Sequence, residues 1–278
     1  MTNHCYLNGT LVTAEEAHIA ASDRSYLLGD GLFETILVRD GQPRLLEQHI
    51  ARLLSSAAAL GYGALSSALL FGAVWSVVKA NSLDVGALRL TISPSTSDGL
   101  LVSPHSALNT YIAVRRGEPY PAEQYERGFV AVISRSTRRN EHSPLCRHKT
   151  TGFMDSVLAK QEARSRQADE AILLNTTGNV AEGAVTNLFI VRGGEVLTPR
   201  LTDGALPGIM RAEVLRACVL AGIPVQEATL TPAHIFTADE AFVTNALLGV
   251  MPLSSVDAHT FARSNATIAR GIIGALTL

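Results

Sequence analysis

The segment Gly117-Glu118-Pro119-Tyr120-Pro121 can neither continue a helix nor sit inside a sheet, because both prolines lack an amide donor and restrict the residue before them. It cuts a chain of 278 residues into two stretches, each long enough to bury a core of its own. The expected organisation is a small N-terminal domain (residues 1–116), a linker (117–122) and a larger C-terminal domain (123–278). No period of the length used by solenoids or propellers recurs.

The patterning on both sides of the break is mixed α/β (α+β). Cys5 to Val12 reads as a hairpin about Asn8-Gly9, and Glu34 to Arg39 as a strand turning at Asp40-Gly41. Leu46, Ile50, Leu53, Leu54, Ala57 and Leu60 recur at helical spacing and stop at Gly61; a second such series runs from Leu65 to Val78 and stops near Asn81. Strands at Ala87 to Ser93 and Thr110 to Arg115 flank a Ser/Pro/Gly-rich connection. Beyond the break come a strand at Phe129 to Ser134, a polar loop to Lys149, a helix from Met154 to Arg166 and a strand at Glu170 to Asn175. A hairpin at Asn187 to Pro199, a helix after Pro207-Gly208, a strand at Glu240 to Asn245 and a helix at Ala262 to Ala275 complete a mostly β second half.

The charge balance, 23 basic against 25 acidic residues, leaves no basic field for nucleic acid or a membrane surface. No apolar run approaches the roughly 18 residues that span a bilayer, and the N-terminus lacks the basic-then-apolar order of a secretion signal. Cys5, Cys146 and Cys218 are odd in number and far apart, which argues against a disulfide framework or a zinc cluster. A cytoplasmic location is expected.

Only three of the basic residues are lysines, so any chemistry that needs an amine has few candidates. Lys79 and Lys160 fall on helices and read as solvated surface charges. Lys149 lies in the loop Arg147-His148-Lys149-Thr150-Thr151-Gly152, just before a helix, where an amine can be held against other groups as a nucleophile.

Further motifs follow in order: Gly29-Asp30-Gly31-Leu32-Phe33-Glu34, His49-Ile50-Ala51-Arg52-Leu53, Asn179-Val180-Ala181-Glu182-Gly183, Leu206-Pro207-Gly208-Ile209-Met210-Arg211 and Asn245-Ala246-Leu247. With Lys149 among them, the chain resembles the fold-type IV (class IV aminotransferase) pyridoxal-phosphate enzymes over nearly its whole length. The resemblance implies a two-domain architecture with a mostly β C-terminal domain that binds pyridoxal 5'-phosphate (PLP), and a homodimer acting on a small molecule. It implies that Lys149 is the catalytic lysine carrying the cofactor and moving protons, and that Glu182 pairs with the pyridine nitrogen. Arg52, Gly208, Ile209, Met210, Thr244 and Asn245 match phosphate-binding positions. Phe33, Arg89, Arg139, Ala246 and Leu247 are the expected substrate contacts, the arginines, with Arg138, as candidates for substrate carboxylates.

Within this family the chain is most like 4-amino-4-deoxychorismate lyase, which forms 4-aminobenzoate and pyruvate, a step toward folate. The Asn245-Ala246-Leu247 turn and the approach Arg139-Asn140 to His148-Lys149 carry this likeness, and Met154 stands where transaminases place a tyrosine. The alternative is an aminotransferase for branched-chain, D- or other small amino acids with a 2-oxoacid acceptor. The chain departs from relatives at Leu28, in place of a tyrosine, and at Pro94-Ser95, in place of Arg-Gly. A cofactor-binding relative without turnover is disfavoured, because holding a phosphate requires neither Lys149 nor Glu182.

Overall fold

A computed structural model describes residues 2–95, 99–102, 106–262 and 267–276. The chain separates into two compact units, one made of Met1–Pro119 with His148–Phe153, the other of Tyr120–Arg147 with Met154–Leu278. The segment that carries Lys149 therefore folds with the first unit, although it lies well past the break at Pro119 and Pro121 in sequence.

In the first unit, β1 (His4–Leu7), β2 (Thr10–Thr13), β3 (Leu32–Arg39), β4 (Gln42–Pro43), β5 (Gly86–Pro94) and β6 (Leu108–Arg116) form an antiparallel sheet in the order β2-β1-β6-β5-β3-β4. The helices are α1 (Arg24–Leu28), α2 (Leu46–Ala59) and α3 (Ser67–Ala80). Alternate residues of β3, namely Leu32, Ile36 and Val38, share a buried core with Ile50 and Leu53 of α2 and Val74 and Val77 of α3. Phe33 stands on the opposite face of the same strand, and Arg89, paired in register with Thr35, shares that face. This two-residue alternation sets the helix-packed core apart from the face that bears the chemistry.

The second unit contains α4 (Ala122–Arg127), β7 (Phe129–Ile133), α5 (Met154–Ser165), β8 (Glu170–Leu174), β9 (Val180–Gly183), β10 (Asn187–Arg192), β11 (Glu195–Pro199), α6 (Ile209–Leu220), β12 (Val225–Ala228), α7 (Pro232–Phe236), β13 (Glu240–Asn245), β14 (Gly249–Val256), β15 (His259–Thr260) and α8 (Thr267–Ala275). Its mixed sheet runs β12-β11-β10-β13-β14-β7-β8-β9, with β15 beside β14. β7 lies parallel to both β14 and β8, and β12 parallel to β11. Phe129, Ile172, Leu188, Ile190, Val243 and Met251 fill one core, and Phe189 and Phe242 stack 5.0 Å apart in another.

The expected strands and helices recur, with differences that have physical reasons. β14 is a strand absent from the expected set; its Pro252 pairs in register with Phe242 of β13 and precedes Leu253, the first residue paired to β7. β9 carries Glu182 inside a strand buried at every position, a pattern that only tertiary partners make tolerable. The expected start of the last helix at Ala262 runs into residues 263–266, and the Ser/Pro/Gly-rich connection includes 96–98 and 103–105; both stretches lie outside the described residues. Among the described residues no helix is long and apolar enough to cross a membrane.

Candidate active site

Lys149 is held by strand-like pairing to β3. Phe33 N–H donates to the Lys149 carbonyl at 2.9 Å, Thr150 bridges to Leu32, and Thr151 N–H donates to the Gly31 carbonyl at 2.8 Å. The Thr151 hydroxyl also donates to the Gly29 carbonyl at 2.8 Å. Gly29 has a φ of +67°, and a Cβ there would lie 3.1 Å from the Gly152 Cα, so the close approach of the two backbones favours a glycine at position 29. This backbone clamp fixes the root of the lysine. Its Nζ lies 4.5 Å from the Phe33 ring centroid and 5.6 Å from that of Phe153, and the two rings meet edge to face. Arg89 places its guanidinium carbon 3.7 Å from the Phe33 centroid, so this ring organises both cations. The neighbouring His148 hydrogen-bonds from Nδ1 to the Ser56 hydroxyl of α2 at 3.0 Å.

On the core face of β3, Glu34 is buried and receives two bonds from Arg52, at 2.8 and 2.6 Å, together with a 2.6 Å contact to His49 Nδ1. Burial alone would raise the Glu34 pKa, but the hydrogen bonds from His49 and Arg52 reverse that and hold it below the usual carboxylate range. Burial holds the His49 imidazole below its ordinary pKa despite Glu34, and the charges of Arg52 and Lys149 push the same way. A neutral His49 donating from Nδ1 and a charged Arg52 therefore share one carboxylate. Arg52, expected at the phosphate, donates to Glu34 through its Nε and one of its terminal nitrogens. Glu34 and His49 were not among the expected site residues. Their signal was present in a carboxylate set within an apolar strand and in the i,i+3 spacing of His49 and Arg52.

In the second unit, Glu182 is the centre of a separate cluster. Its Oε1 pairs with Arg139 Nε at 2.9 Å, and its Oε2 accepts from Leu206 N–H at 2.9 Å and more distantly from Asn187 Nδ2 at 3.4 Å. Arg139, expected at a substrate carboxylate, is turned to Glu182, and it also donates to the carbonyls of Gly204 and Cys146. Arg138 instead donates to the backbone carbonyls of Ser134 and Thr137. Asn187, absent from the expected set, joins two site elements: it donates to the Leu206 carbonyl at 2.9 Å, and its Oδ1 fills the space of a Gly208 Cβ, which would sit only 1.9 Å away.

Gly208 is the N-cap of α6 and supplies no side-chain cap, so the amides that open the helix at Ile209 and Met210 have no such acceptor. Thr244 pairs in register with Asn187 across β10 and β13; its hydroxyl is buried and has no hydrogen-bond partner among the described residues. An uncapped helix start, an orphaned buried hydroxyl and a glycine with no room for a side chain, all joined through Asn187, suit a phosphate dianion. The adjoining Glu182 supplies a carboxylate suited to a protonated ring nitrogen, so the residues present fit PLP. Asn245 folds the turn that follows: its Oδ1 accepts from the amides of Leu247 and Leu248, both at 2.9 Å, and its Nδ2 donates to the Val185 carbonyl at 3.2 Å. Ala246 and Leu247 are half-buried at the tip.

The sequence profile of the family described as Amino-transferase class IV matches residues 31–256. The chain is 28% identical to the aminodeoxychorismate lyase of Bacillus subtilis (strain 168) over 256 residues, covering 91% of this chain and 86% of that protein. The structure of 4-amino-4-deoxychorismate lyase from Pseudomonas aeruginosa is similar at a TM-score of 0.87 and 27% identity, covering 99% of this chain and 100% of that one. The branched-chain amino acid aminotransferase of Escherichia coli is similar at a TM-score of 0.90 and 28% identity, over 99% of this chain and 94% of that one. The chain belongs to the class IV aminotransferases, a family of PLP-dependent enzymes.

Proposed function

We propose that this enzyme is a 4-amino-4-deoxychorismate lyase, forming 4-aminobenzoate and pyruvate in the supply of folate precursors. Lys149 carries PLP and takes the proton from the carbon bearing the substrate nitrogen. Glu182, held by Arg139 and the Leu206 amide, would pair with the ring nitrogen. Arg52, the start of α6 at Gly208, Ile209 and Met210, and Thr244 and Asn245 serve the phosphate. Phe33, Arg89, Ala246 and Leu247 border the substrate. When bound, PLP supplies an electron sink for the carbanion that forms on proton removal. Loss of pyruvate then makes the substrate ring aromatic, which drives the reaction one way.

The observation that carries the lyase reading is the Asn245-Ala246-Leu247 turn, folded on the Asn245 carboxamide. Met154 supports it, because at the tyrosine position of transaminases this chain offers no hydroxyl. A lyase needs no amino acceptor, so 4-aminobenzoate is expected to form over many turnovers from aminodeoxychorismate with no 2-oxoacid present. Chromatography of the products checks this. A single stoichiometric burst, or brisk exchange between an amino acid and a 2-oxoacid without 4-aminobenzoate, makes the protein an aminotransferase, the reading favoured by its likeness to the branched-chain enzyme.

A homodimer and a cytoplasmic location belong to the same proposal. Supporting the dimer, Tyr26, Leu27 and Leu28 of α1 and the nearby Leu100 and Leu101 are exposed. Arg24 of α1 ties the two segments together by donating to the carbonyls of Gly99 and Leu100, each at 2.8 Å. Light scattering should give twice the chain mass, and Leu100→Asp with Leu101→Asp should lower it toward one chain; a wild-type protein of single-chain mass refutes the dimer. Three buried free cysteines accord with a reducing compartment.

A further inference from the structure

Glu170, the first residue of β8, has no solvent exposure at all. An isolated carboxylate in such a place is destabilising, and an apolar residue of similar volume is commonly as stable or more so. Its surroundings are specific. Oε1 accepts from the Ala171 amide at 2.8 Å, Oε2 accepts from the Thr186 hydroxyl at 3.1 Å, and Lys160 Nζ lies 3.6 Å away. Lys160, which the sequence presents as a surface charge, is half-buried with its side chain still partly exposed, and it also donates to the Asp169 carbonyl.

Thr186 is where this buried group meets the cofactor-binding reading. It closes the turn from β9 to β10: its carbonyl accepts from the Gly183 amide at 2.7 Å, while Ala184 N–H donates to the Ala171 carbonyl at 2.8 Å. A Cβ on Gly183 would sit 2.0 Å from the Thr186 hydroxyl, so that hydroxyl occupies the inside of the turn. Glu182 precedes the turn and Asn187 follows it, and their side chains meet at 3.4 Å. The Thr186 hydroxyl faces Glu170, and the position of the turn sets where Glu182 and Asn187 point.

We propose that Glu170 is a positioning residue for Glu182, acting through the Thr186 hydroxyl and the turn it closes. This rests on the reading that Glu182 faces the ring nitrogen of PLP. Lys160 supplies the countercharge, and burial, which pushes the Glu170 carboxyl pKa upward, is opposed by the lysine and by the two hydrogen bonds. The role is geometric: a small shift of the turn misaligns the Glu182 carboxylate at the ring, while Asn187 stays anchored on the far side by its bond to the Leu206 carbonyl and its pairing with Thr244.

The test compares Thr186→Val, which keeps the shape and removes the hydroxyl, with Thr186→Ser, which keeps the hydroxyl, alongside Glu170→Gln and Glu182→Gln. Each is loaded with PLP. The readouts are PLP affinity, the visible spectrum of the bound cofactor against pH, and kcat and KM separately. Thr186→Val and Glu170→Gln should bind PLP within a few-fold of wild type, shift the pH at which the spectrum changes, and lose on the order of 10- to 100-fold in kcat with little change in KM. Thr186→Ser should behave as wild type. If Glu182→Gln has a wild-type spectrum and rate, the underlying reading of Glu182 fails. If Glu182→Gln is impaired while Thr186→Val and Glu170→Gln match wild type, or if Thr186→Ser is as impaired as Thr186→Val, the positioning role is overturned and that reading stands. Should Glu170→Gln not fold, the Thr186 pair decides alone.

Discussion

Lys149→Ala is expected to lower turnover by about three orders of magnitude or more, because it removes both the amine that carries the cofactor and the base that moves the proton. Neither other lysine can replace it. Lys79 lies in the last turn of α3, and Lys160 is held against Glu170 and the Asp169 carbonyl. Lys149→Arg should be as inactive, since a guanidinium keeps the charge without serving as a nucleophile. The backbone of this segment, and not its side chain, pairs with β3, so both variants should fold and bind PLP through its phosphate. Borohydride reduction of the loaded wild type followed by peptide mapping should mark Lys149; a mark on Lys79 or Lys160, or substantial turnover by Lys149→Ala, overturns the assignment.

Glu182→Gln should retain the cofactor and slow the reaction by roughly 2 to 4 kcal/mol in the transition state, about 30- to 1,000-fold. The structure adds a reason specific to this chain. The carboxylate accepts on both oxygens, from Arg139 Nε on one and from the Leu206 amide and Asn187 Nδ2 on the other. A glutamine carries one acceptor and one donor group, so its amide must turn NH2 toward either the arginine or the Leu206 amide and lose that bond. The variant should therefore show a lowered melting temperature as well as a lowered rate. Proton abstraction measured with deuterated substrate separates the two effects, and an unchanged rate would remove Glu182 from the reacting groups.

How much of this was legible beforehand differs from residue to residue. Lys149 stood out because lysine is scarce and because its loop precedes a helix. Glu182 and Arg52 were legible only through the order of motifs along the chain, since a lone carboxylate or arginine carries no information about its partners. Gly208 combined both signals: it follows Pro207, an ordinary helix start, and the structure adds the Asn187 side chain that excludes any Cβ. Arg139 shows the limit. An arginine near the lysine loop fits a substrate carboxylate equally well on sequence grounds, and the fold turns it to Glu182 instead.

Local rules reach as far as the elements and their faces. Helical and two-residue periodicities, glycine stops and the two prolines suffice to place most of the strands and helices of both units, because these depend on neighbours a few residues away. What brings distant residues together follows a different physics. That residues 148–153 join the first unit, that Glu34 lies beneath Arg52 and His49, and that Lys160 lies beside the buried Glu170 all depend on strand pairing and on the cost of burying charge without a partner. Each buried carboxylate finds its counterpart on another element, and no local pattern specifies which counterpart that is.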